Sequence, residues 1–204
     1  MATAWAETRG HAADRAAADS LAAAGRTWVE VALAQVNTRF NAYAQVPDQA
    51  LWGRREYWAT PAETSARGAG DCEDLAIAKY FALLEHGTAE DRLRLVVARL
   101  WLPHRRAIED HMVLAYYPAP GGDPLILDNV ERRILPLSRR QDLVAVAGFN
   151  RMGWWSVGPG VEQFRGPVVP YADWHDMLAR HRGQIPLATS ARAVAAVRTG
   201  AGLD

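Results

Sequence analysis

Gly70-Asp71-Cys72-Glu73-Asp74-Leu75-Ala76-Ile77-Ala78-Lys79-Tyr80-Phe81-Ala82-Leu83-Leu84 holds the only cysteine of a 204-residue chain. A Gly68-Ala69-Gly70 run precedes it and about four turns of strong helix former follow, so the stretch predicts a helix that opens at Asp71. Its side chains are apolar nearly all round, which marks a central, buried helix, and Gly87 suits the left-handed position after its end. Cys72 falls in the first turn, where unpaired N–H groups and the helix dipole favour an anion and bias a thiol toward thiolate. A lone cysteine is also commonly a small buried hydrophobe, so the residue needs partners before it means chemistry.

Outward from that helix, Trp28, Val31, Ala32, Val36 and Phe40 recur at helical spacing within Arg26 to Tyr43 and predict a core-packing helix. Thr60-Pro61 with Glu63 reads as a capping box with proline at the first position, opening a short helix that ends near Gly68. Downstream, residues 93–102, 111–117 and 124–129 predict strands, as do 143–149 and 154–157. The Pro118-Ala119-Pro120-Gly121-Gly122-Asp123 run makes the second and third of these a hairpin. Residues 11–24 and 171–182 predict further helices, and 187–204 a small-residue tail. Helices first and an antiparallel sheet afterwards define an α+β domain. We expect a single domain over 1–204, its core at about 28–182, with flexible or helical termini at 1–10 and 187–204.

Half of the residues are hydrophobic, which excludes disordered and collagenous classes. Formal net charge is zero, so nothing predicts a nucleic-acid footprint or a basic membrane patch. Lys79 is the only lysine, the other 22 of 23 basic residues being arginine, and we read that as compositional bias. No window approaches the length of a spanning helix, and residues 1–27 lack the apolar stretch of an export signal. We expect either a cytosolic chain or a mature form whose signal has been removed.

Two polar residues interrupt the apolar strands: His111 opens one and Asp128 closes the next. In an antiparallel hairpin these ends lie side by side, and register decides whether the side chains share a face. Asp128 opposite His111 or Val113 puts them on one face; Asp128 opposite Met112 separates them. A histidine–carboxylate pair fixes the imidazole tautomer and stabilises the imidazolium, and a nearby thiol completes a nucleophile, base and orienter. His104 is a rival base but sits in the exposed Pro103-His104-Arg105-Arg106 loop, and His86 suits a helix end. Asp71, Glu73 and Asp74 flank the thiol and oppose its ionisation. They act either as helix caps or as oxygen ligands for a hard cation such as Ca²⁺. The Cys72 N–H is a candidate oxyanion donor, together with an upstream group such as the Trp52 or Trp58 indole.

The segments Tyr57-Trp58-Ala59-Thr60-Pro61, Gly70 to Tyr80, His111-Met112-Val113-Leu114 and Pro124 to Asn129 together resemble the bacterial transglutaminase-like cysteine peptidases of the LapG type. Trp52-Gly53, Asn37 with Phe40-Asn41, and Phe149-Asn150 are similar too, so the likeness spans about 28–157. The resemblance implies a papain-like, transglutaminase-type fold with catalytic Cys72, His111 and Asp128. It also implies a Ca²⁺ site at Asp71, Glu73 and Asp74. It implies export to the periplasm, a large surface adhesin cut at a pair of alanines to control biofilm attachment, and a cyclic-di-GMP receptor in the inner membrane that sequesters the enzyme. Acyl transfer to amines by the same three residues, and a non-catalytic Ca²⁺-binding module, are the other readings. An added amine competing with water separates the first, and a thiol inert to iodoacetamide the second.

Overall fold

The computed structural model describes residues 27–158 and 161–184. Helix α1 (Trp28–Asn41) leads through strand β1 (Ala44–Gln45) and the short helix α2 (Asp48–Leu51) to α3 (Pro61–Arg67), β2 (Ala69–Gly70) and the central helix α4 (Cys72–Glu85). Then come β3 (Leu93–Leu102), β4 (Ala107–Tyr116), β5 (Leu125–Leu127), β6 (Leu135–Pro136), β7 (Leu143–Asn150), β8 (Gly153–Gly158) and β9 (Val161–Gly166), closed by helix α5 (Ala172–Gln184). The architecture is the expected α+β. The segments predicted at 11–24 and 187–204 lie outside the described residues.

Local chemistry accounts for the boundaries. Thr60 caps α3 and exchanges hydrogen bonds with Glu63 as a capping box, and Gly68 ends the helix at φ 60. Thr27 and Glu30 form a second capping box on α1 that the sequence reading did not single out. Asp71 is the N-cap of α4, so Cys72 is its first helical residue. Gly87, at φ 83, follows the end of that helix as expected.

Seven strands form one sheet in the order β6-β5-β4-β3-β7-β8-β9, every neighbouring pair antiparallel. Strand β4 begins four residues earlier than expected, because Ala107 to Asp110 pair with Arg99 to Leu102 in a long hairpin. Strand β9 went unpredicted, since Val161–Gly166 carries Glu162, Gln163 and Arg165 and shows little apolar signal. On one sheet face, Leu95, Met112, Leu114, Leu127 and Phe149 pack against Leu33, Val36 and Phe40 of α1 and Leu75, Ile77 and Leu83 of α4. Val96, Ala98, Leu100, Val113, Ala115 and Ile126 form a second cluster. The unbroken apolar run Met112 to Tyr116 in the second half of β4 is therefore explained by burial on both faces.

The helix-side core centres on aromatic rings. Phe149, fully buried, stacks on Trp58 at 5.8 Å and meets Tyr171 at 5.1 Å and Trp174 at 5.3 Å. From α5, Arg180 donates to the Trp58 carbonyl and the Tyr57 hydroxyl and pairs with Glu63, fastening α5 to the capping box of α3. Because Phe149 joins three elements in a close-packed site, Phe149→Ala is expected to cost about 3–5 kcal/mol of stability in chemical denaturation, with the cooperative transition retained.

Candidate active site

Strands β4 and β5 pair with Leu114 opposite Leu127 and Ala115 opposite Ile126. Continued one step, that register places Asp128 opposite Val113, the arrangement that puts His111 and Asp128 on one face. They meet: His111 Nε2 lies 2.8 Å from Asp128 Oδ1, with both residues buried. The Val130 N–H also donates to Oδ1 at 2.9 Å, and Arg140 donates to Oδ2 at 2.8 Å. Asn41 of α1 holds the Asp128 carbonyl at 2.7 Å. Burial alone would raise the Asp128 pKa, but the hydrogen bond and charge of His111, the Val130 N–H and Arg140 hold it well below the usual carboxylate range. Asp128 accepts through Oδ1, so the neutral His111 carries its proton on Nε2 and leaves Nδ1 as the free basic nitrogen.

Cys72 is half-buried at the start of α4, against the helix-side core. The Met112 backbone N–H, next in the chain after His111, favours its thiolate. The thiol itself donates to Glu73 Oε2 at 2.9 Å rather than to the imidazole. Burial first, then the charge and hydrogen bond of Glu73, push the thiol pKa far up, and Asp71 adds to this.

The acidic residues divide into two roles in the structure. Asp71 and Asp74 approach Asp48, with one oxygen from each within 4.8 Å of the others. Glu73 turns toward the sulfur instead. Asp74 accepts from the Ala59 N–H at 2.7 Å and from the Trp52 indole at 3.4 Å, while Asp71 caps α4 through the Asp74 N–H. Gly70 is required for this approach, since a Cβ there would stand 2.6 Å from Asp74 Cβ. Asp48 Oδ1 is buried with no hydrogen-bond partner. An orphaned carboxylate oxygen beside two others fits a hard cation coordinated by oxygen. Burial, and after it mutual repulsion centred on Asp71, raise Asp48 and Asp74 to about 7; burial and Glu73 raise Asp71 to about 7.

Three features of the site escaped the sequence. Asp48 follows Pro47 and reads as an ordinary helix start, and Arg140 is hidden among 22 arginines. Lys79, read as compositional bias, is fully buried in α4, where desolvation lowers its pKa to about 7 against the pull of Asp128. The two indoles considered as oxyanion donors point elsewhere: Trp52 Nε1 donates to Asp74 and Trp58 Nε1 to Glu56.

A lone cysteine at the N-terminus of a central helix, beside an antiparallel sheet carrying a histidine–carboxylate pair, defines the transglutaminase-like class of cysteine enzymes. Residues 7–145 match the family model of the bacterial transglutaminase-like cysteine proteinases (BTLCP), and the chain belongs to that family. Among solved structures it is similar to calcium-bound LapG of Legionella pneumophila, with 35% identity, 76% of this chain and 81% of that one covered, and a TM-score of 0.65. EGTA-treated LapG from the same organism also has 35% identity, over 76% and 80% of the chains, with a TM-score of 0.64. No curated protein matches. The protein is therefore a LapG-like cysteine peptidase and acts on protein substrates. No helix among the described residues is long and apolar enough to cross a membrane.

The raised carboxyls set a testable pH dependence. A carboxyl whose folded pKa is raised stabilises the fold below its unfolded value near 4 and loses that contribution as pH rises through about 7. In chelator, the melting temperature is expected to fall between about pH 4 and pH 7 from this cluster, and Asp48→Asn to flatten the fall.

Proposed function

We propose that this peptidase is a calcium-dependent thiol endopeptidase with Cys72 as nucleophile, His111 as general base and acid, and Asp128 as orienter. The observation that carries the reading is the buried 2.8 Å contact of His111 Nε2 with an Asp128 held ionised. That contact supports an imidazole whose free Nδ1 accepts a proton and whose charged form has a counter-ion.

In this reading the thiol leaves Glu73 and gives its proton to His111 as sulfur attacks the scissile carbonyl. His111 passes that proton to the departing amine, and water, deprotonated by His111, hydrolyses the thioester. The Cys72 backbone N–H, one of the free donors at the start of α4, is placed to stabilise the oxyanion.

Asp48, Asp71 and Asp74 would hold the cation, with Glu73 as the fourth acidic neighbour from the sequence reading. What a bound Ca²⁺ supplies there is electrostatic neutralisation of carboxylates that otherwise oppose the thiolate. The calcium-bound form of the Legionella relative supports calcium as the cation. By the same resemblance, the substrate is a large cell-surface adhesin cut at an Ala-Ala site in the periplasm, with release from a biofilm as the outcome. An inner-membrane cyclic-di-GMP receptor is the corresponding sequestering partner.

The test is cleavage of an adhesin fragment containing an Ala-Ala site, with and without Ca²⁺. EDTA is expected to stop cleavage and added Ca²⁺ to restore it; equal rates under both conditions would remove the metal from the proposal. Cys72→Ala should abolish turnover while leaving the fold intact, and full activity in that variant defeats the mechanism. Asp128→Asn should lower kcat by orders of magnitude, toward the ~10⁴-fold loss known for an orienting aspartate elsewhere.

A further inference from the structure

Among the described residues, Arg140 is the most deeply buried arginine, and the catalytic reading leaves it unused. It follows the 3₁₀ turn Leu137–Arg139 and is 3% exposed. Its Nη2 donates to Asp128 Oδ2 at 2.8 Å and to Asp142 Oδ2 at 2.8 Å, while Nε donates to Asp142 Oδ1 at 2.9 Å. One guanidinium thus bridges two carboxylates, one of them the partner of His111.

The charges decide what such a bridge does. A lone guanidinium bound to Asp128 would offset the negative charge that a developing imidazolium needs. Asp142 grips the same guanidinium through both oxygens, in the bidentate geometry that arginine suits best. Arg140, Asp128 and Asp142 together carry one net negative charge, and the oxygen facing His111 belongs to Asp128. The remaining charged groups around them are Lys79 from α4 and, on the Arg140 side, Glu131 and Arg133, which pair with each other.

We propose that Arg140, backed by Asp142, is a positioning residue that locks the Asp128 carboxylate against His111 without cancelling its charge. The inference rests on the reading of His111 and Asp128 as catalytic. The Arg140 side chain bonds to Asp128 and Asp142 and not to the thiol, so it acts through Asp128. A carboxylate freed by about 1 Å is enough to lose on the order of 10²-fold in rate.

The experiment compares wild type, Arg140→Gln, Arg140→Lys, Asp142→Asn and Asp128→Asn in Ca²⁺-containing buffer. One readout is kcat and KM on an adhesin fragment with an Ala-Ala site. The other is the ¹⁵N-edited imidazole spectrum of His111 in a Cys72→Ala background, which needs no substrate. Arg140→Gln is expected to lower kcat about tenfold to a hundredfold with KM unchanged, and to shift the His111 Nε2–H signal. Arg140→Lys keeps the charge but not the fork, so it covers the case in which the glutamine variant fails to fold; the same signature at smaller size is expected. Asp142→Asn should move the His111 signal with little change in melting temperature. If a folded Arg140 variant keeps wild-type kcat and an unshifted His111 signal while Asp128→Asn is inactive, the inference is overturned and the catalytic reading survives. Full activity in Asp128→Asn overturns both.

Discussion

A carboxylate 1% exposed must be paired or become neutral, and the site is organised around the way Asp128 meets that demand. Its side chain draws on His111, the Val130 N–H and Arg140, and its carbonyl on Asn41. These partners come from β4, from the turn after β5, from the segment before β7 and from α1, so satisfying one group ties four parts of the chain together. Desolvation works against the anion, yet the pKa falls, because His111, the Val130 N–H and the Arg140 guanidinium together outweigh it. The two-strand register is one consequence, since a slip by one residue would send either the imidazole or the carboxylate to the other face.

The start of α4 shows the opposite balance. A helix N-terminus favours an anion by about 0.3–1 kcal/mol, rising to about 2 in partly buried geometry. Burial and the Glu73 and Asp71 carboxylates shift the Cys72 thiol by much more than that, so the dipole alone does not make a thiolate there. The orphaned Asp48 oxygen and the three carboxyls at about 7 belong to the same imbalance: too much negative charge gathered with too little to offset it. A cation at Asp48, Asp71 and Asp74 would relieve the cluster and the thiol together, which links the proposed metal to the nucleophile by charge.

Local signals carried much of the fold. The Thr60-Pro61-Glu63 box, the Gly68 and Gly87 stops and the Pro118–Asp123 turn depend on neighbours in sequence, and the structure has each where expected. Strand β9 was missed because an edge strand carrying Glu162, Gln163 and Arg165 has no apolar run to detect. The early start of β4 was missed because Ala107 to Asp110 are held by cross-strand pairing and not by their own propensity. Arg140 and Asp48 were invisible for another reason: each looks ordinary in its local context, and only its distant partner makes it part of the site.

By itself, the amino-acid sequence determined the α+β class, the position of Cys72 in the first turn of a buried helix, and the two polar residues that interrupt the strands. It did so because capping, turns and periodicity act over a few residues. Only the tertiary structure decided that Asp128 lies opposite Val113 and not Met112, that Glu73 faces the sulfur while Asp48 joins Asp71 and Asp74, and that a guanidinium stands behind the orienting carboxylate. Those outcomes are settled by long-range pairing and burial, where a group's charge state depends on side chains tens of residues away.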